Sequence, residues 1–162
     1  MNKTALKERT SEGVKERAIN TRFGTILVDP NQVINFPLGL LGVPQEKNYY
    51  LSSYPDKEVQ SYSLLQSVEY ENLCFLTIPL ADEFFSTEDS LLAKSDILYA
   101  KEHYNIKGLA VFLIATIHNN KKKNTSRISV NLKAPILIDT EESLAYQHVF
   151  VRKEYSLKYF LN

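Results

Sequence analysis

From Ile128 to Asp139 the chain reads ISVNLKAPILID, and the parity of this stretch constrains the fold more than any other feature. The even positions, Ile128, Val130, Leu132, Ala134, Ile136 and Ile138, are all apolar. The odd positions carry Ser129, Asn131, Lys133 and Asp139, with only Pro135 and Leu137 apolar among them. Such a period of two marks a strand with one face on the core and the other free of it. On that reading Lys133 is no intruder but a member of the free face. Pro135 has no N–H to give a ladder, so it marks an edge, a bulge or a bend, and the adjacent lysine protects an edge from stray pairing.

Other strands are expected along the chain. TRFGTILV (21–28) is β-branched and aromatic and stops at Asp29-Pro30-Asn31. VINF (33–36), NYYLSS (48–53) and QSYSLLQSV (60–68) end at turn signals or alternate by parity. LCFLTIPL (73–80) and GLAVFLIATIH (108–118) are continuously apolar, as strands covered on both faces are. SLAYQHVFVRK (143–153) alternates again. One helix is expected at about 95–105, with Ser95 as its N-cap and Asn105 as its stop. The sum is a mainly β, antiparallel, barrel-like single domain with one short helix. Residues 1–20 are polar and charged and read as a flexible tail, with the domain running from 21 to 162.

The 162 residues are enough for one domain with its own core. Five glycines are too few for a glycine-built cofactor cradle. The single cysteine, Cys74, excludes an internal disulfide and a cysteine metal cluster, and its apolar neighbours make it a small core residue. His103, His118 and His148 are far apart in sequence and share no ligand spacing, and no nucleophile elbow, phosphate loop or metalloprotease motif occurs. The expectation is a non-enzyme without cofactor or metal. No apolar run reaches the roughly 18 residues of a membrane span and no signal-peptide pattern opens the chain, so a cytoplasmic location is expected.

Two surfaces are candidates for partners. FPLGLLGVP (36–44) is a turn built on Gly39 and Gly42, yet it holds Leu38, Leu40 and Leu41, which either fold back or meet a partner. The chain balances 19 basic against 19 acidic residues, but the charges are segregated. Between Glu69 and Asp96 seven acids, including Glu71, Asp82 and Glu83, face only Lys94, so this segment suits a basic partner. The stretch NNKKKNTSR (119–127) is purely basic but has no aromatic residue in it, which disfavours direct nucleic-acid binding. A β-barrel module binding RNA or a small ligand directly is the alternative to a protein-binding regulator, and an enzyme without a motif is a third reading.

VNLKAPILI resembles the N-L-K-A-P-I signature of the FliW flagellar assembly factors. Other pieces follow in that family's order: TRFGTILVD, INFPLGLLGV, LLQSVE, LCFLTIPL and GLAVFLIATI, covering about residues 21–160. On this resemblance Phe36, Pro37, Gly39, Gly42, Gln66, Asn131, Ala134 and Pro135 are family-signature positions with structural roles. Three departures stand out: Val43 in place of the usual Phe, TIPL (77–80) without the usual acid before its proline, and the polar leader. The resemblance implies a barrel-like domain without cofactor, monomeric when free, that binds flagellin and antagonises CsrA, the repressor of flagellin translation, without touching RNA itself. The candidate partner-binding residues are then Leu38, Leu40 and Leu41 for an amphipathic flagellin helix, Glu69, Glu71, Asp82 and Glu83 for a basic repressor, and Lys133.

Overall fold

The computed structural model describes residues 15–56, 58, 61–81 and 91–161. Eleven strands are present among them: β1 Arg17–Thr21, β2 Gly24–Val28, β3 Ile34–Asn35, β4 Asn48–Ser53, β5 Ser63–Ser67, β6 Cys74–Leu80, β7 Leu109–Asn120, β8 Thr125–Val130, β9 Ile136–Asp139, β10 Leu144–Gln147 and β11 Tyr159–Phe160. Among the described residues one helix, α1, spans Lys94–His103. Seven strands close on themselves in the order β7-β6-β5-β4-β3-β10-β9, with β9 returning to β7. Each neighbour is antiparallel except β3 and β10, which meet in parallel at Asn35 and Leu144.

Inward side chains of one parity come from all seven barrel strands and form one cluster, with Phe36 and Leu40 joining Tyr49, Leu65, Phe112, Ile136 and Ala145. Ile34 and Phe75 pack against it. Residues of the opposite parity, among them Tyr50, Leu64, Leu76, Val111, Leu113 and Leu137, gather outside the barrel. They are covered by Ile19, Ile26 and Val28 of the β1–β2 hairpin, by Ile97 and Ala100 of α1, and by Phe150 and Tyr155.

The stretch from Ile128 to Asp139 is not one strand. β8 pairs with β7 in the register Val130↔Ala115, and β9 pairs with the same edge in the register Ile136↔Phe112. Had the first register continued, Phe112 would face residue 133; it faces 136, so three extra residues are looped out between Asn131 and Pro135. Three is odd, and an odd slip exchanges the two faces of a strand. Val130 and Leu132 therefore pack in the outer cluster, whereas Ile136 and Ile138, of the same parity, point into the barrel. Leu137, expected on the free face, is fully buried in the outer cluster. The sequence parity is real, but it spans two faces.

Other boundaries also differ from expectation. The tail expected over 1–20 ends earlier, because Arg17–Thr21 is a strand whose Ile19 pairs with Ile26 and is buried. One isoleucine among polar neighbours gives no alternation to read. Residues 1–14 lie outside the described residues. The expected strand over 21–28 is instead a turn, in which the Thr21 hydroxyl donates to the Gly24 carbonyl at 2.7 Å, followed by β2. The helix starts at Lys94 with Ala93 as its N-cap, so Ser95 lies inside it. Ala93 is no side-chain cap. Its own N–H is satisfied by the Tyr155 hydroxyl at 2.8 Å, which in turn donates to Asp96 in the first turn at 2.6 Å. Asn105 does stop the helix: at φ +54° it lets Ile106 N–H reach the Lys101 carbonyl and its own N–H reach that of Glu102.

Candidate functional site

The closed end of the barrel is built by three consecutive turns. The Gly39 N–H donates to the Phe36 carbonyl, that of Val43 to Leu40, and that of Glu46 to Val43. Pro37 and Pro44 occupy the second position of the first and third turns, where their fixed φ is already correct. Gly42, at φ +86°, supplies the third position of the middle turn, which demands a positive φ. Gly39 is required twice over, by its φ of +68° and because a Cβ there would stand 2.5 Å from the Pro44 carbonyl oxygen.

This chain of turns sorts the leucines. Phe36 and Leu40 point into the barrel and are 0 % and 2 % exposed; Phe36 meets Tyr49 edge-on at 5.1 Å. Leu38 and Leu41 sit at the corners and are 69 % and 61 % exposed. Leu40 therefore leaves the set of partner-binding candidates: it is the plug that holds the turn down. Val43 bridges to Leu40 and packs on the inner cluster.

Beneath the turns lies a buried carboxylate. Glu46 accepts from the Asn48 N–H at 2.8 Å, from the Ser67 hydroxyl, and from the Glu69 N–H at 3.4 Å. Burial opposes its charge, but these hydrogen bonds prevail and hold the carboxyl below its ordinary range. Ser67 Oγ accepts the Tyr70 N–H at 2.8 Å, and the fully buried Gln66 amide donates to the carbonyls of Ser67, Tyr70 and Glu71 at 3.1–3.2 Å. Gln66 and Glu46 thus shape the β5–β6 turn that displays Glu69, Tyr70 and Glu71. Exposed leucines and exposed acids stand on two turns that share one internal support. Nothing in the sequence marks Glu46, because one acid among nineteen carries no sign of burial.

The signature segment joins the same end. Asn131 Oδ1 accepts the Ala134 N–H at 3.0 Å and closes the looped-out residues on themselves. The Lys133 and Pro135 carbonyls accept from Phe150 and His148, and Gln147 bridges the two regions: its amide donates to the Ala134 carbonyl while its oxygen accepts the Leu41 N–H at 2.8 Å. Pro135 is buried, and Lys133 Nζ donates to the Arg152 carbonyl at 3.2 Å.

The acidic segment is less uniform than its sequence. Glu71 lies 3.7 Å from Arg17, and Asp96 is ion-paired with Arg152 at 2.9 Å. Asp82 and Glu83 fall outside the described residues. Two histidines that are distant in sequence come together: His103 and His148 rings are 6.2 Å apart, and the Tyr104 hydroxyl bonds His148 Nδ1 at 2.9 Å. Burial, and then the neighbouring His103, keep His148 below its ordinary pKa. No group of three or more histidine, cysteine or carboxylate side chains able to hold a metal occurs among the described residues. Burial pushes the Cys74 thiol up to about 11, which fits a packing role rather than a nucleophile. No helix among the described residues is long and apolar enough to cross a membrane.

Comparison with known proteins agrees with this architecture. The family model "FliW protein" matches residues 17–161. A flagellar assembly factor FliW of Desulfitobacterium hafniense (strain Y51) is 33 % identical over 143 residues, covering 88 % of each chain. Another, from Oceanobacillus iheyensis, is 32 % identical over 137 residues, covering 82 % of this chain and 85 % of its own. A crystal structure of the flagellar assembly factor FliW shares the fold with a TM-score of 0.61 at 24 % identity, over 90 % of this chain and 95 % of that one. The match begins at Arg17, where β1 begins. The chain belongs to the FliW family of flagellar assembly factors.

Proposed function

We propose that this protein is a cytoplasmic partner switch that binds flagellin and sequesters the translational repressor CsrA, acting through protein–protein contacts as a monomer and without catalysis. The observation that carries this reading is the pair of leucines, Leu38 and Leu41, exposed on a turn that proline, glycine and a buried plug make rigid. Isolated surface leucines need no explanation, but two on one preorganised corner suit the apolar stripe of an amphipathic flagellin helix. Glu69 and Glu71 on the adjoining turn suit a basic repressor and would act mainly on the rate of encounter. Glu46 hydrogen-bonds in both turns, so the two proposed contact surfaces share one internal support.

Direct RNA binding is the second reading. Arg127 lies 4.0 Å over the Phe160 ring, with Lys158 at 5.8 Å and the His118 ring at 5.1 Å. The fold thus supplies the basic stretch with an aromatic that it lacks in sequence. One experiment separates the two readings: size-exclusion chromatography of the protein with flagellin, with CsrA and with RNA alone. Complexes with flagellin and CsrA, the first lost in Leu38→Asp/Leu41→Asp and the second slowed at low salt in Glu69→Lys/Glu71→Lys, support the switch. Failure to bind either protein sinks it, and a shift with RNA alone favours the second reading.

A further inference from the structure

The end of the barrel opposite the plug is open. There the walls border a half-open cavity of about 520 Å³, within the roughly 300–1,000 Å³ of small-molecule sites. Its floor is apolar: Ile34, Leu51, Ala110, Phe112 and Ile138. We propose that this mouth binds a small, uncharged, mainly apolar molecule with an aromatic or branched aliphatic body and at least one hydrogen-bonding group.

Size and shape come first. The inward residues of β7 run Ala110, Phe112, Ile114, so the smallest stands at the mouth. A larger side chain at 110 would fill the space from within, as Phe36 and Leu40 do at the other end. The chemistry of the rim narrows the ligand. Asn31, Gln32 and Ser143 line it, and none of their side chains has a hydrogen-bond partner among the described residues. No cation lines the cavity among the described residues, and Asp139 at its edge gives an anion no counter-charge. Asp139 does not call for a cation either. Its oxygens already accept the N–H groups of Lys107 at 3.1 Å, Gly108 at 3.2 Å and Glu141 at 3.1 Å. Ser143 adds a second line. It sits at φ +53°, a region where glycine costs less, while its carbonyl accepts the Asn35 N–H that closes the β3–β10 seam. The turn requires only the backbone; the serine places a hydroxyl on the rim.

The site does not depend on the partner reading above, and the test keeps them apart. Titration of isotope-labelled protein with indole, followed by amide NMR, should give saturable shifts confined to the floor residues. Ala110→Phe should weaken indole by about tenfold or more while the protein stays folded. Leu51→Phe, at the half-exposed edge of the floor, serves the same purpose if Ala110→Phe does not fold. Ser143→Gly should weaken indole more than 1-methylindole, which lacks the N–H. Absent or unsaturable shifts overturn the proposal, as does indole binding that is equal in a folded Ala110→Phe. If wild type binds no indole but Ala110→Phe loses flagellin, the mouth is an anchor pocket for a partner side chain and the small-ligand site is overturned.

Discussion

At one end of the barrel Phe36 and Leu40 sit under three linked turns and a hydrogen-bonded carboxylate; at the other, Ala110 and Ile34 leave a cavity of about 520 Å³. The same strands supply both ends, so the difference comes from side-chain volume and turn chemistry rather than topology. The closed end is over-determined: proline, glycine, a plug and buried polar bonds all specify one conformation. The open end is specified mainly by backbone, with Ser143 held at positive φ and Asp139 gathering N–H groups. The exposed side chains of the closed end therefore stand on preorganised corners, whereas the open end offers a space.

The sharpest way to break this contrast is to remove the plug. Phe36→Ala should cost about 3–5 kcal/mol by urea unfolding, the range for a fully buried phenylalanine. Ile34→Ala, half-buried at the mouth, should cost less. Equal losses would mean that the two ends do not differ in packing.

Next come the turns. Gly39→Ala should cost about 3 kcal/mol, the upper range for a strained backbone position, because its new methyl meets a carbonyl oxygen that cannot move aside. Gly42→Ala, with the same sign of φ but open space, should cost about 1 kcal/mol. If both cost the same in thermal melts, sterics at Pro44 play no part.

Glu46→Gln should cost about 2 kcal/mol at neutral pH, through hydrogen bonds weakened when the acceptor loses its charge. The folded pKa lies below the ordinary 4.5, so the charged form's contribution is full above that value and is lost as the pH falls through the folded pKa. The gap between wild type and variant should therefore close in acid, and a gap that persists unchanged there would place its origin elsewhere. Two smaller effects complete the comparison. Ala110→Phe should stabilise the open end by about 1 kcal/mol in the same assay. Leu38→Asp should change stability by no more than about 0.5 kcal/mol while abolishing the proposed flagellin capture.

Much of the fold was legible because strands announce themselves by composition. NYYLSS (48–53) coincides with β4, and LCFLTIPL contains β6. Asn105 was readable as a stop because few residues tolerate its φ. What escaped the sequence depends on distant contacts. The β1 strand is held by one buried isoleucine, the helix start by Tyr155 from 62 residues away, and the closed end by a glutamate indistinguishable from its exposed neighbours. Of the candidate site, the turn was visible through its prolines and glycines. The sorting of its leucines, two outward and one inward, was set by the order of the turns and needed the structure.

The three residues looped out at Asn131–Pro135 carry a rule about the history open to this chain. Inserting or deleting one residue there would turn Ile136 and Ile138 outward and drive Leu137 and Asp139 into the lumen. Two residues would leave every side chain on its own wall. The loop behaves as a parity bit: its length can drift in steps of two, whereas a single step asks the barrel to exchange its inside for its outside.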